Sequence, residues 1–160
     1  MENGYIYTRV STLIQVDGFS LDAQEEEIRA FAKMHGINII GKYSDEGKSG
    51  KNAEHRPAFN QMMEDIRSKK DSIKYILVFK LSRFARNTSD TAKYLQELAS
   101  YGIGLLGVKD GIDTSTATGK MIANIMGAVA EVELENIHEQ TLAGRQQKAR
   151  SGLWNGAQAP

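Results

Sequence analysis

Cysteine is absent from the 160 residues, which excludes disulfides and thiolate metal sites alike. Histidine is scarce, and His35, His55 and His138 are too dispersed to suggest a metal cluster. No run approaches the roughly 20 apolar residues of a membrane helix. The segment from Met1 to Tyr7 lacks the basic start and long apolar stretch of a signal peptide. The expectation is a cytoplasmic protein with no metal and no cofactor. Neither sign of charge is in excess, because 20 Lys and Arg balance 20 Asp and Glu. A free-standing nucleic-acid-binding module normally carries a basic surplus. Basic residues, if they serve a nucleic acid here, must therefore be gathered at one site, with another segment supplying most of the affinity. The small residues from Gly156 to Pro160 read as the start of a linker, as expected of a piece of a longer protein.

What is present is ordinary for one globular domain: 41% apolar and 25% charged residues. Runs rich in β-branched and aromatic residues predict strands over Gly4 to Val10, Ile37 to Tyr43, Lys74 to Lys80 and Ile103 to Lys109. Helical patterns lie between them. Leu21 to His35 sets Leu21, Ile28, Phe31 and Ala32 on one face, with Ser20 as N-cap. Pro57 to Lys69 opens with proline in its first turn and carries Phe59, Met62, Met63 and Ile66. Thr88 to Tyr101 offers Ala92, Leu95 and Leu98, and Gly102 stands where a C-terminal cap belongs.

Strand–helix alternation of this kind argues for an α/β fold, with a largely parallel β-sheet flanked by helices. From about Thr118 to Arg150 runs a long C-terminal helix, with Ile122, Ile125, Met126, Val129, Val132 and Ile137 as its apolar positions. It exceeds what a small sheet can cover, so its excess is expected to pack on a partner subunit or extend toward DNA. The expected division is a core over 1–118, an oligomerisation helix over 119–152, and a linker start over 153–160.

Ligands of open parallel sheets bind beyond the carboxyl ends of the strands. Here those ends lead to Arg9, Ser11 and Gln15, then Asp45, then Lys80-Leu-Ser-Arg-Phe-Ala-Arg86, then Asp110-Gly-Ile-Asp113. A hydroxyl, a carboxylate and several arginines at one edge suit phosphoryl transfer. A serine hydroxyl needs activation. Fixed guanidinium groups bind two phosphate oxygens at once and stabilise the spread charge of the transition state without a metal.

The motifs then become specific. Tyr7-Thr-Arg-Val-Ser-Thr12 with Gln15, followed by Ser20-Leu-Asp-Ala-Gln24, resembles the N-terminal signature of the resolvase/invertase family of serine recombinases. Tyr43-Ser-Asp-Glu-Gly-Lys-Ser-Gly50 with Arg56, Lys80-Leu-Ser-Arg-Phe-Ala-Arg-Asn87, and Thr118-Gly-Lys120 running into Ala130-Glu-Val-Glu133 follow in the family's order. The extra residues between Gln15 and Ser20 are similar to those of the large serine recombinases and transposon integrases. The resemblance implies that Ser11 is a nucleophile forming a phosphoserine link to a DNA 5′ end. It implies that Arg9, Arg56, Arg83 and Arg86 surround the scissile phosphate, with Tyr7, Gln15, Gln24 and Asp45 in support. It also implies double-stranded DNA as partner, with self-association as a dimer and action as a tetramer. Two positions depart from the pattern: Ser82 stands where the family often has aspartate, and Leu134 where it commonly has an active-site arginine. Leu134 is the feature that favours the alternative, a catalytically impaired phosphate- or DNA-binding regulatory module of the same fold.

Overall fold

The computed structural model describes residues 1–10, 20–46, 55–85 and 88–152. Within its helices, the side chains of residues 88–89, 126–127, 130–131 and 133–134 lie outside the description. The elements in chain order are β1 (Glu2–Val10), α1 (Leu21–Met34), β2 (Ile37–Glu46), α2 (Pro57–Arg67), β3 (Tyr75–Val78), a 3-10 turn (Leu81–Arg83), α3 (Thr88–Ser100), β4 (Gly104–Gly107), β5 (Ile112–Asp113) and α4 (Ala117–Arg150).

The sheet runs β2-β1-β3-β4-β5. The first four strands are mutually parallel, and β5 pairs antiparallel with β4. The short β5 was not expected from the sequence, because two residues carry no readable period. Asp45, expected just past the end of its strand, lies within β2 and is the cross-strand partner of Arg9 in β1. β2 runs on past its apolar stretch to Glu46, whereas β1 ends at Val10 as expected.

Side-chain alternation splits the core in two. Tyr5, Tyr7, Ile76, Val78 and Leu105 face one side, with Phe59, Met62, Met63 and Leu98 from the helices there. Ile6, Leu77, Phe79 and Leu106 face the other, against Ile28 and Ala32 of α1. Burial of side chains such as Phe59, Ile6 and Leu77, all fully inaccessible, contributes about 2 kcal/mol apiece. Chain order places α1 on one face and α2 and α3 on the other. The connections diverge between β1 and β3, the kind of position where open α/β sheets form a crevice.

Capping follows local chemistry. Ser20 accepts from the Ala23 N–H at 3.2 Å, and Gly102 leaves α3 at φ +71. Thr116 opens α4 by accepting from the Gly119 N–H at 2.9 Å. Spanning 34 residues, α4 is about 50 Å long at 1.5 Å per residue. Gly119 and Ala123 are buried near its start, and every described side chain beyond Ala123 is exposed. Ile122, Ile125, Val129, Val132 and Ile137 therefore face solvent, at 41–60% exposure.

Candidate active site

On the α2 side of the sheet, the last residues of β1 and β2 present Tyr7, Arg9 and Asp45 together. The Tyr7 hydroxyl donates to Asp45 Oδ2 at 2.8 Å. The Asp45 carboxylate also accepts from two backbone amides of α2: Ala58 N–H to Oδ1 at 2.9 Å and Phe59 N–H to Oδ2 at 3.0 Å. The reason lies in the sequence of α2. Its N-cap is Arg56, which makes no side-chain cap, and Pro57 follows. An arginine has no acceptor to offer the helix's unpaired N–H groups. Asp45 supplies the missing cap from the neighbouring strand, and its charge suits the positive end of the helix dipole.

Burial pushes the Tyr7 phenol well above its ordinary value; the nearby Arg56 charge opposes the shift and the Asp45 carboxylate adds to it. Tyr7 is therefore a neutral donor at physiological pH, unsuited to accepting a proton. Its ring meets Phe59 edge-on at 5.3 Å, and Phe59 in turn meets Phe84 at 5.3 Å and Tyr94 at 4.9 Å. These rings form an apolar floor, with Phe59 lying beneath Arg56.

The arginines converge on the turn that follows β3. Arg9 donates from Nη2 to the Ser82 carbonyl at 3.1 Å and from Nε to the Arg83 carbonyl at 3.4 Å. Arg56, 6% exposed, donates from Nη1 to the Phe84 carbonyl. Its guanidinium carbon stands 3.8 Å over the Phe59 ring. A carbonyl and an aromatic face orient a guanidinium without cancelling its charge. Arg83 belongs to the same turn, buried at 8% exposure, and its amide closes the turn on the Lys80 carbonyl at 2.9 Å. Three successive carbonyls thus hold two arginines while the turn carries a third. Sequence reading could not foresee this clamp, because a backbone carbonyl has no side-chain signature.

Of the other expected site residues, Gln24 is fully buried on the first turns of α1. Ser11, Gln15 and Arg86 lie outside the described residues, as do the side chain of Leu134 and the linker start at 153–160. Ser82, the first departure, is exposed and contributes its carbonyl to Arg9. Among the described residues no group of His, Asp and Glu could hold a metal ion, and no helix is long and apolar enough to cross a membrane.

Comparison with known proteins gives this arrangement a family context. The sequence profile described as "Resolvase, N terminal domain" matches residues 4–154. A Bacillus subtilis (strain 168) protein named as a DNA recombinase is 35% identical over 149 residues, covering 92% of this chain and 28% of that longer protein. The crystal structure of a resolvase family site-specific recombinase from Streptococcus pneumoniae is 51% identical, with TM-score 0.73, covering 94% of this chain and 99% of that one. The N-terminal catalytic domain of TP901-1 integrase is 34% identical, with TM-score 0.67, covering 84% of this chain and 98% of that one.

Proposed function

Because this chain belongs to the resolvase family, as a recombinase catalytic domain of its N-terminal type, we propose that it cleaves and rejoins DNA through Ser11. The observation that carries the reading is the gathering of Arg9, Arg56 and Arg83 around one turn at the carboxyl edge of the sheet. Ser11 follows directly on the last residue of β1 in sequence, two positions after Arg9.

In the proposed reaction Ser11 Oγ bonds to the phosphorus of a DNA phosphodiester as its own proton leaves. The bond from phosphorus to the 3′ oxygen breaks, and that oxygen departs as a 3′ hydroxyl once protonated. The 5′ end remains esterified to serine. The ester retains the energy of the original bond, so attack by a 3′ hydroxyl from another strand reverses the step without ATP. Arg9, Arg56 and Arg83 stabilise the charge on the non-bridging oxygens, and Arg86 joins them. Tyr7 and Asp45 hold the frame, and Gln15 and Gln24 complete the supporting set.

The substrate is double-stranded DNA, which places the action in the cytoplasm. Neutral overall charge limits counterion release, so the chain alone binds DNA weakly and another segment of a longer protein supplies recognition. The exposed row Ile122, Ile125, Val129 and Val132 recurs at alternating spacings of three and four residues, the seam pattern of packed helices. It pairs α4 with a second copy in a dimer, and two dimers form the tetramer that exchanges strands. On this reading 1–118 is the catalytic core and 119–152 the oligomerisation helix.

The test is covalent capture. The full protein is incubated with its recombination-site duplex and denatured. A DNA–protein adduct through the 5′ phosphate is expected, with none from Ser11→Ala. An adduct that survives Ser11→Ala removes Ser11 as the nucleophile.

A further inference from the structure

The turn over Leu81–Arg83 has the same defect as α2. Its N-cap is Lys80, in extended conformation and without a side-chain cap, because lysine has no acceptor. The missing acceptor comes from 29 residues away: Asp110 Oδ2 takes the Leu81 N–H at 2.6 Å. The contact is short, as charge-assisted bonds are.

The position of Asp110 is itself well determined. Beyond β4 the Val108 and Lys109 amides continue the ladder onto the Val78 and Phe79 carbonyls, both at 2.9 Å. Gly111, at φ +65, then turns the chain back into β5. Only a residue tolerant of that region suits the turn, and it leaves the Asp110 carboxylate against the start of the Leu81–Arg83 turn.

We propose that Asp110 is a positioning residue for the phosphate-binding arginines, acting through the peptide turn that Arg9 and Arg56 grip and that carries Arg83. The connection runs in covalent and hydrogen-bonded steps. The Asp110 carboxylate fixes the Leu81 N–H, the turn closes through Phe84 N–H to the Leu81 carbonyl at 3.0 Å, and the carbonyls of Ser82, Arg83 and Phe84 receive the two guanidinium groups. A carboxylate paired directly with these arginines would cancel their charge and compete with phosphate. Acting through backbone amides, Asp110 orders the cluster without itself pairing with a guanidinium. Asp45 does the same for α2 and Arg56. The Asp110 role rests on the arginine cluster being a phosphate site, as proposed above, but not on Ser11 being the nucleophile.

The probe is inorganic phosphate, titrated into the chain while the arginine Nε resonances are followed by NMR. Wild type should show Arg9, Arg56 and Arg83 shifting together. Asp110→Ala should weaken the apparent affinity about tenfold, and Asp110→Asn, whose amide oxygen still accepts, should return it to within about twofold. Thr116→Ala, which removes the α4 cap, serves as a control for general destabilisation and should leave phosphate affinity unchanged. An unchanged affinity in Asp110→Ala overturns the proposal, as does a wild-type cluster indifferent to phosphate. Should Asp110→Ala not fold, hydrogen exchange on wild type decides: a Leu81 amide exchanging at the rate of an open loop overturns the proposal, and exchange only through global unfolding upholds it. Phosphate binding that behaves as expected alongside an adduct persisting in Ser11→Ala would refute the nucleophile and leave the role of Asp110 intact.

Discussion

Replacing Asp45 by alanine should cost far more stability than its place near a strand end implies. Asp45 is 5% exposed and accepts from three donors. The Phe59 N–H and the Tyr7 hydroxyl are in buried bonds, and leaving each without an acceptor costs about 1–2 kcal/mol. The Ala58 N–H is partly buried, so water recovers part of its loss, and about 0.5–1 kcal/mol remains. Loss of the negative charge at the α2 N-terminus adds roughly 0.5–1 kcal/mol. Relief of the carboxylate's own desolvation offsets some of this, which favours the lower end, about 3 kcal/mol. For a chain of this size that is a fall in Tm of about 6–12 °C. Asp45→Asn keeps an acceptor and loses the charge, so about 1–2 kcal/mol is expected. Urea unfolding followed by circular dichroism measures both, with hydrogen exchange at the Ala58 and Phe59 amides reporting the cap itself. A loss below about 1 kcal/mol in Asp45→Ala, with the Phe59 amide still protected, would refute the capping argument.

Acid should weaken the fold through paired carboxylates. Hydrogen bonds from Lys42 and Arg29 hold Glu25 below its ordinary value, those from Tyr43 and Gln61 do the same for Asp65, and Arg67 for Glu97. A carboxylate whose value is lower folded than unfolded stabilises fully above the unfolded value and loses that stability as pH falls through the folded one. The urea midpoint should therefore be flat above about pH 5 and fall below it, with a shallower fall in Glu97→Gln; an unchanged slope would count against the pairing. Gly119→Ala should cost more than about 3 kcal/mol, because its Cβ would lie 1.7 Å from the Asp113 carbonyl oxygen. Gly144→Ala, on the same helix with nothing within 4 Å, should stabilise by about 0.5–1 kcal/mol; equal melting shifts for the two would contradict the stated contact. Val129→Glu should convert a self-associating chain to monomer in sedimentation while leaving its core unfolding unchanged, and a persistent dimer would move the interface off α4.

The fold was legible because its elements are locally consistent. Ser20 before α1, Pro57 at the start of α2 and Gly102 after α3 are boundary residues whose effect acts within one turn. The β-branched and aromatic runs of β1 and β3 carry their own period. The identities of Arg9, Arg56 and Arg83 were legible too, as motif residues with a chemistry that suits phosphate. Their gathering at one sheet edge was expected, but the carbonyls that orient them were not.

Local sequence determines which stretches become strands and helices, since propensity, capping and apolar period act over a few neighbours. It also determines, through the lack of cysteine and the balance of charge, the chemistry left open to the chain. Tertiary structure alone decided that Asp45 and Asp110 are caps for turns 13 and 29 residues away, and that Ser82, Arg83 and Phe84 hold arginines by their carbonyls. Every residue type carries the same carbonyl, so no pattern of side chains announces which will be used. The pairing is set by strand order and register, which place β1, β2 and the turn after β3 at one edge only once the whole sheet has formed.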